Sequence, residues 1–206
     1  VDVAAAVYVM HRGGVTHFDL KADNVMLARR DSSDEELFSP APDAPLPFQA
    51  VLGDFGESTV WASEDEAYTL RNRGTEFIKA PEMLTIAFAG RKKQDSYDRR
   101  RQEGVGCEAD VWSLGCLLFE IITGEYLFYD DDWIRFFIRV TSEGQELLAP
   151  EKRAQIGNNA ALASFLELVL VRDPRKRPTI EFVLSAAHDL VEQLENNEQV
   201  WDFDVR

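Results

Sequence analysis

The chain of 206 residues has little cysteine, few basic side chains and no long apolar run. Its two cysteines, Cys107 and Cys116, provide neither a disulfide framework nor a metal-ligand spacing, so we expect an intracellular, cytoplasmic protein. The 22 basic residues against 37 acidic ones give a net charge of −15, which argues against nucleic-acid binding, because that requires a basic face. No apolar stretch reaches the length of a membrane span.

Signals of an N-terminal leader are also lacking. The chain begins with Val1 and has no basic segment ahead of an apolar one, so no signal peptide is visible. The first residues have the pattern of the middle of a helix, and we expect the chain to be a fragment of a longer protein. What is present is a hydrophobic fraction of 45%, which is typical of a globular protein and sufficient for a core at this length.

Hydrophobic periodicity predicts a mainly helical lobe with short strands near the polar loops. Helices are expected at residues 3–12, 110–123, 131–141 and 160–171, and from an N-cap at Thr179 to about Leu194. Strands are expected at two short apolar segments, 25–27 and 50–52.

The domain organisation follows from changes in composition along the chain. Residues 1–193 are interpreted as one domain with two insertions, about 30–48 and 90–106. The first insertion is acidic and then rich in proline, whereas the second is basic. Residues 194–206 are interpreted as a polar C-terminal tail.

The segment with the clearest chemistry is residues 17–27, His-Phe-Asp-Leu-Lys-Ala-Asp-Asn-Val-Met-Leu. Asp19 is suited to accept the proton of a substrate hydroxyl, and Lys21 can reach a transferring phosphate. Asn24 in the same segment and Asp54 further along offer the oxygen ligands that Mg²⁺ prefers. These groups together indicate phosphoryl transfer.

The segment resembles the catalytic loop H-R-D-L-K-x-x-N of protein kinases, and Asp54-Phe55-Gly56 resembles their magnesium-binding D-F-G. Further motifs follow in the family's order, namely Ala80-Pro81-Glu82, Asp110-Val-Trp-Ser-Leu-Gly, Arg172-Asp-Pro and Arg177-Pro178. The chain is thus similar to the C-terminal lobe of a eukaryotic-type protein kinase over about residues 1–193. The N-terminal β lobe is absent from it and is expected elsewhere in the same parent chain.

The resemblance implies a protein Ser/Thr kinase that uses ATP with Mg²⁺ or Mn²⁺ and acts on a protein substrate. Its catalytic residues would be Asp19, Lys21, Asn24 and Asp54. Asn24 and Asp54 would be the metal ligands. The nucleotide would be bound by four residues, Lys21, Asn24, Met26 and Asp54. Met26 would form the floor under the adenine ring.

Other matching positions support the loops in this family or contact the substrate, namely His17, Phe55, Gly56, Thr75, Glu82, Asp110 and Arg177. Glu82 and Arg177 would form a buried ion pair. Asp110 would hold the backbone of the catalytic loop. His17 and Phe55 would form the lower half of a hydrophobic stack between the two lobes.

Two features bear on the substrate. Lys21 with Gly74-Thr75 resembles the Ser/Thr class, in which this Thr contacts the catalytic Asp and Lys. Asp23 and Glu120 match positions that meet substrate arginines in base-preferring kinases, and Asp130-Asp131-Asp132 adds negative charge nearby. A basic substrate is therefore one hypothesis, and a solvated acidic surface is the alternative.

Phe18 departs from the family pattern. The family's Arg at this position pairs with a phosphorylated residue of the activation loop, which Phe cannot do. The segment just before Gly74, Arg71-Asn72-Arg73, also has no hydroxyl. We predict an activity that does not depend on activation-loop phosphorylation. The same His-Phe-Asp variant occurs in death-associated kinases, so Phe18 does not argue against catalysis.

The sequence is compatible with three classes of function. A kinase is favoured over a pseudokinase or scaffold module, because all four catalytic residues of this lobe are present. A small-molecule kinase is disfavoured, because Ala80-Pro81-Glu82 and the helix near Asp131 resemble an apparatus for docking proteins. Since the Gly-rich loop and the strand Lys of the other lobe are absent, the isolated fragment is expected to be inactive.

Overall fold

A computed structural model of the chain describes residues 1–29, 48–63, 66–86 and 104–196. Its helices are α1 (Asp2–Arg12), α2 (Pro81–Ile86), α3 (Glu108–Thr123), α4 (Trp133–Thr141), α5 (Pro150–Gln155), α6 (Ala160–Val169) and α7 (Ile180–Asn196). Its strands are β1 (Val15–Thr16), β2 (Val25–Arg29), β3 (Phe48–Leu52) and β4 (Thr59–Val60). Short 3₁₀ turns lie at Ala22–Asn24, Glu76–Ile78 and Pro174–Lys176. The predicted mainly helical lobe with short strands is confirmed.

Two antiparallel strand pairs bring the polar loops together. β2 pairs with β3 so that Val25 faces Leu52. Asn24, directly before β2, and Gly53, directly after β3, therefore lie at the same end of this hairpin, and the Gly53 N–H donates to the Asn24 carbonyl oxygen at 2.8 Å. β1 pairs with β4, which joins the chain before the catalytic loop to the chain after Asp54-Phe55-Gly56.

Helix α3 is the centre of the core and packs against α6. Trp112 and Phe119 are completely buried along it. Gly115 permits the close packing, because a Cβ there would lie 2.7 Å from the Val169 side chain. The first turn of α3 also buries Asp110, so the core holds a carboxylate at a fixed place beneath the loops.

The boundaries of the elements differ in detail from the sequence predictions. The helix expected from Asp131 begins at Trp133, because the Asp132 side chain accepts the backbone N–H groups of Ile134 and Arg135 as an N-cap. The short helices α2 and α5 were not predicted, since six residues give too little periodicity. None of the helices in the described ranges is long and apolar enough to cross a membrane.

Most of the two expected insertions and most of the tail lie outside the described residues. At their edges, Phe48 is the first residue of β3 and Val105 is buried in a bridge with Thr69. Residues 194–196 belong to α7, so this helix ends two residues later than predicted.

Candidate active site

The backbone of the catalytic loop is held by the buried carboxylate of Asp110. Its oxygens accept the backbone N–H groups of His17 and Phe18, both at 2.8 Å. The ring of His11 lies 2.9 Å from the same carboxylate. Phe18 has a φ of 66°, which is uncommon for a bulky residue. The hydrogen bond to Asp110 is one of the contacts that hold this conformation in place.

Asp19 is the centre of a hydrogen-bond network. One carboxylate oxygen accepts the Thr75 N–H at 2.7 Å, and the other accepts the Asn24 side-chain nitrogen at 3.1 Å. The Lys21 ammonium lies 3.3 Å from Asp19 and donates to the Thr75 hydroxyl at 2.8 Å. The structure thus brings together four residues that the sequence analysis assigned to the site, one of them 56 positions from Asp19 along the chain.

The environment of Asp19 favours the ionised carboxylate. Burial alone would raise the pKa of this carboxyl. The hydrogen bonds from Thr75 and the charge of Lys21 outweigh burial and hold the pKa of Asp19 below its ordinary value. Asp19 is therefore a charged acceptor at neutral pH.

His17 links the catalytic loop to Asp54-Phe55-Gly56. The Asp19 N–H lies 3.2 Å from Nδ1 of His17 and can only donate, so Nδ1 is the acceptor. Nε2 then carries the hydrogen and donates to the Gly53 carbonyl oxygen at 3.0 Å. The imidazole ring also lies 5.2 Å from the Phe55 ring, centroid to centroid.

Asn24 and Asp54 are the residues that could hold a divalent cation. The Asn24 side-chain nitrogen donates to the carbonyl and the carboxylate of Asp19, which leaves the amide oxygen available as a ligand. Asp54 has a left-handed backbone with φ 53°, and its carboxylate accepts the Gly56 N–H at 3.2 Å. An amide oxygen and a carboxylate fit Mg²⁺, which takes few protein ligands and completes its shell with phosphate and water.

The described part of the chain contains no cluster of three or more His, Cys, Asp or Glu side chains that could bind a metal alone. Beside these two residues, Met26 lies against Gly53, where a Cβ would come within 2.6 Å of the methionine methyl group. Met26 is exposed, whereas Leu117 on α3 is buried.

Residues 54–82, called the activation segment below, return to the catalytic loop at Gly74. Gly74 has a φ of 79°, and a Cβ there would lie 2.1 Å from the Phe18 carbonyl oxygen. Only a residue without a side chain allows this approach, which places Thr75 against Asp19.

The end of the activation segment is fixed by an ion pair. The guanidinium of Arg177 donates to both carboxylate oxygens of Glu82, each at 2.6 Å. The same side chain is fully buried and also donates to the carbonyl oxygens of Val171, Glu108 and Arg172. A two-pronged, buried Arg–carboxylate pair of this kind is a strong anchor.

The acidic groups assigned to the substrate side have different surroundings. Asp23 is exposed, whereas the Glu120 carboxylate accepts the Ala22 N–H at 3.1 Å. The three consecutive aspartates are occupied locally. Asp130 pairs with Arg139, Asp131 accepts the Tyr129 hydroxyl and Asp132 caps α4.

His11 is a contact residue of the site that the sequence analysis did not identify. It lies 99 positions from Asp110 along the chain, and no spacing in the sequence connects the two residues. Only the packing of α1 beside the start of α3 makes this contact visible.

Curated relatives of the chain are named as serine/threonine-protein kinases. The chain is 46% identical over 186 residues to a probable serine/threonine-protein kinase of Dictyostelium discoideum, covering 89% of the chain and 8% of that protein. It is 27% identical over 183 residues to serine/threonine-protein kinase GRIK1 of Arabidopsis thaliana, covering 88% and 36% respectively. It is 27% identical over 195 residues to serine/threonine-protein kinase ULK3 of Xenopus laevis, covering 93% and 32%.

The chain thus spans between 8% and 36% of the length of these relatives. The model of the protein kinase domain family matches residues 1–189, which is nearly the whole chain. The predicted resemblance to eukaryotic-type Ser/Thr kinases is confirmed. The chain belongs to the protein kinase domain family.

Proposed function

We propose that the protein containing this chain is a protein Ser/Thr kinase, which transfers the γ-phosphate of ATP to a serine or threonine hydroxyl. The observation that carries the proposal is the convergence of Lys21, Asn24 and Thr75 on the Asp19 carboxylate. Two separate chain segments supply these groups, and each group has a use in phosphoryl transfer.

Asp19 would orient the substrate hydroxyl and take its proton as the new O–P bond forms and the bond to the ADP oxygen breaks. Its lowered pKa keeps the carboxylate charged, as an acceptor needs. Lys21 would neutralise charge on the transferring phosphoryl group while the Thr75 hydroxyl fixes its ammonium. Both effects lower the barrier by positioning and electrostatics.

The cation would be held by the Asn24 amide oxygen and the Asp54 carboxylate. Mg²⁺ supplies positive charge at the phosphate oxygens when it is bound, and Mn²⁺ suits the same ligands. The chain contributes by fixing Asn24 through its two bonds to Asp19. Met26 and the buried Leu117 behind it would provide the apolar surface under the adenine.

A phosphotransfer assay on the intact protein with labelled ATP and protein substrates tests this proposal. The Asp19→Asn variant keeps the shape of the side chain and should lose about 100-fold or more of kcat. The matched control Asp189→Asn changes an exposed carboxylate on α7 and should leave the rate unchanged. An intact protein that binds partners but transfers no phosphate would contradict the kinase and favour the scaffold alternative.

We also propose that the parent protein supplies an N-terminal lobe over the hairpin of β2 and β3. The exposed side chains of Met26, Leu27 and Phe55 support this, because such an apolar surface favours burial against another part of a protein. The sequence upstream of Val1 tests it. A Gly-rich loop and a strand with a Lys are expected there. The absence of both would contradict the proposed N-terminal lobe.

We propose in addition that the substrate is basic near the phosphorylated residue. Asp23 lies in the turn that follows Lys21, and the Glu120 carboxylate accepts the Ala22 N–H of the same turn. Burial and then the nearby charges of Glu120 and Asp23 raise the pKa of the Tyr126 phenol. A peptide library should show enrichment of Arg and Lys that Asp23→Asn weakens. An absence of enrichment would contradict the hypothesis.

We propose that activity does not require phosphorylation of the activation segment. Phe18 is buried in the core and offers no cation to a phosphate. Phosphatase treatment of the intact protein should leave its kcat unchanged, and a loss of activity on treatment would contradict this.

We propose a cytoplasmic location, supported by the two free cysteines. Burial raises the pKa of the Cys107 thiol to about 12, so this thiol is unreactive. Fractionation of cells with an antibody to the chain tests the location. Recovery in a secreted fraction would contradict it.

A further inference from the structure

Arg73, which lies just before Gly74, joins the later part of the activation segment to its start. Its Nη1 donates to the carbonyl oxygen of Glu57 at 3.1 Å and lies 3.8 Å from a carboxylate oxygen of the same residue. The Arg73 side chain is 18% exposed and that of Glu57 47%. Glu57 directly follows Asp54-Phe55-Gly56, so the contact bridges 16 positions of the chain.

Each end of this bridge is adjacent to catalytic groups. On one side, Gly74 and Thr75 follow Arg73, and Thr75 bonds directly to Asp19. On the other side, Glu57 lies three positions after Asp54. A shift of Arg73 would therefore move Thr75, and a shift of Glu57 would move Asp54. The residues between them are too few to absorb the displacement.

In the described residues, Glu57 supplies both the backbone carbonyl that accepts from the Arg73 guanidinium and the carboxylate that pairs with its charge. The buried Nε of Arg73 has no partner in the part of the chain that the structure describes. The Arg73 N–H in turn contacts the Met83 sulfur at 3.3 Å, which holds the backbone of this residue against α2. Removing the Glu57 carboxylate would leave a mostly buried cation with a single neutral acceptor, and this is unfavourable.

We propose that Arg73 and Glu57 form a latch that holds the start of the activation segment against the part just before Gly74 without a phosphate. Elsewhere in the family a cation of the catalytic loop binds a phosphorylated residue of this segment. Here Phe18 occupies that place on the loop, and the cation lies within the segment itself. Arg73 and Glu57 are positioning residues that act through Thr75 and Asp54, and this inference rests on the proposed kinase function.

Two neutral variants, Glu57→Gln and Arg73→Gln, test the latch in the intact protein after phosphatase treatment. Each should lower kcat roughly fivefold, the effect of an ion pair worth about 1 kcal/mol. The KM for ATP should change less than kcat. The double variant should be no slower than the slower single variant, because both remove one interaction. Arg73→Lys keeps the charge and should recover part of the rate.

Amide hydrogen exchange gives a readout that does not depend on catalysis. Both variants should speed exchange in residues 57–63 and 66–75 while leaving α3 protected. The matched controls are Glu66→Gln, whose amide oxygen can still accept the Ala62 N–H, and Arg71→Gln, and both make the same charge changes at exposed positions of the same segment. Neither control should alter exchange or kcat.

Two results would overturn the latch. One is exchange in Glu57→Gln and Arg73→Gln that matches the two controls. The other is a double variant whose loss in kcat is the product of the two single losses, which would mean independent sites. An unmodified protein that transfers no phosphate would contradict the proposed function, whereas the exchange measurement would still decide whether the latch exists.

Discussion

The catalytic loop and the Asp54-Phe55-Gly56 turn are supported to different degrees by the rest of this chain. His17 is 0% and Asp19 7% exposed, whereas Phe55 is 52% and Met26 55% exposed. The Asp19 carboxylate accepts hydrogen bonds from the Asn24 side chain and from the backbone N–H of Thr75. The hydrogen bond found for the Asp54 carboxylate comes from the N–H of Gly56, two positions away. In the proposed function, the half of the site that would receive the hydroxyl is thus preorganised, whereas the half that would hold metal and nucleotide has less support from this chain.

The largest expected effect comes from removing the buried support of the catalytic loop. Asp110→Ala leaves the N–H groups of His17 and Phe18 without their acceptor. This should lower the free energy of unfolding by about 2–6 kcal/mol, since each unpaired buried group costs about 1–3 kcal/mol. Urea denaturation measures the change. The control Asp189→Ala, at an exposed position of α7, should stay within about 0.5 kcal/mol of the unmodified protein.

A somewhat smaller effect is expected where the activation segment meets the loop. Gly74→Ala adds a methyl group 2.1 Å from the Phe18 carbonyl oxygen, at a φ of 79°. Gly124→Ala is the matched control, because its φ is 72° but no atom lies within 4 Å of the added Cβ. Gly124→Ala should cost about 1 kcal/mol for the strained backbone alone. Gly74→Ala should cost more and should lower kcat, and equal losses would refute the close approach.

The pH dependence of Asp19 gives a smaller effect with a defined sign. Its pKa is lower in the folded chain than its ordinary value of 3.8, so the ionised form stabilises the folded state above that pH. This contribution should disappear as pH falls below 3.8 and through the folded pKa. The stability difference between the unmodified protein and Asp19→Asn should shrink in that range. A difference that is constant from pH 7 to pH 3 would contradict the network around Asp19.

The smallest effect is expected at the exposed turn. Phe55→Ala removes a half-exposed ring whose aromatic partner in the described structure is His17. The free energy of unfolding of the chain should fall by less than about 1 kcal/mol, because little area leaves solvent on folding. A loss above about 2 kcal/mol would show that this turn is as well supported as the catalytic loop. That result would contradict the difference in support between the two regions.

Much of the candidate site could be predicted because its members are close in sequence. Asp19, Lys21 and Asn24 lie within six residues, and local backbone geometry is enough to place them on one loop. The strands at 25–27 and 50–52 could also be predicted, since their apolar runs are bounded by polar turns. Glu82 and Arg177 were paired through family motifs, and they do form an ion pair in the structure.

Other contacts had no signal in the sequence. His11 beside Asp110 and Arg73 beside Glu57 involve common residue types whose spacing has no regular period. The sequence indicated that Asp130-Asp131-Asp132 adds negative charge near a substrate, and only the structure shows that each carboxylate also has a local partner, namely Arg139, the Tyr129 hydroxyl and the first turn of α4. A series of consecutive aspartates in a sequence does not indicate which neighbouring groups will bind their carboxylates.

The amino-acid sequence was sufficient to predict the mainly helical class, the order of the motifs and the chemical groups available for phosphoryl transfer. These follow from hydrophobic periodicity and from residues a few positions apart, where the backbone alone limits the distance. The contacts of Thr75 with Asp19, of Asp110 with the backbone of the catalytic loop and of Arg73 with Glu57 are seen only in the folded chain. Such contacts arise when the buried helix α3 and the strand pairs bring distant segments together, and short-range patterns do not encode that packing.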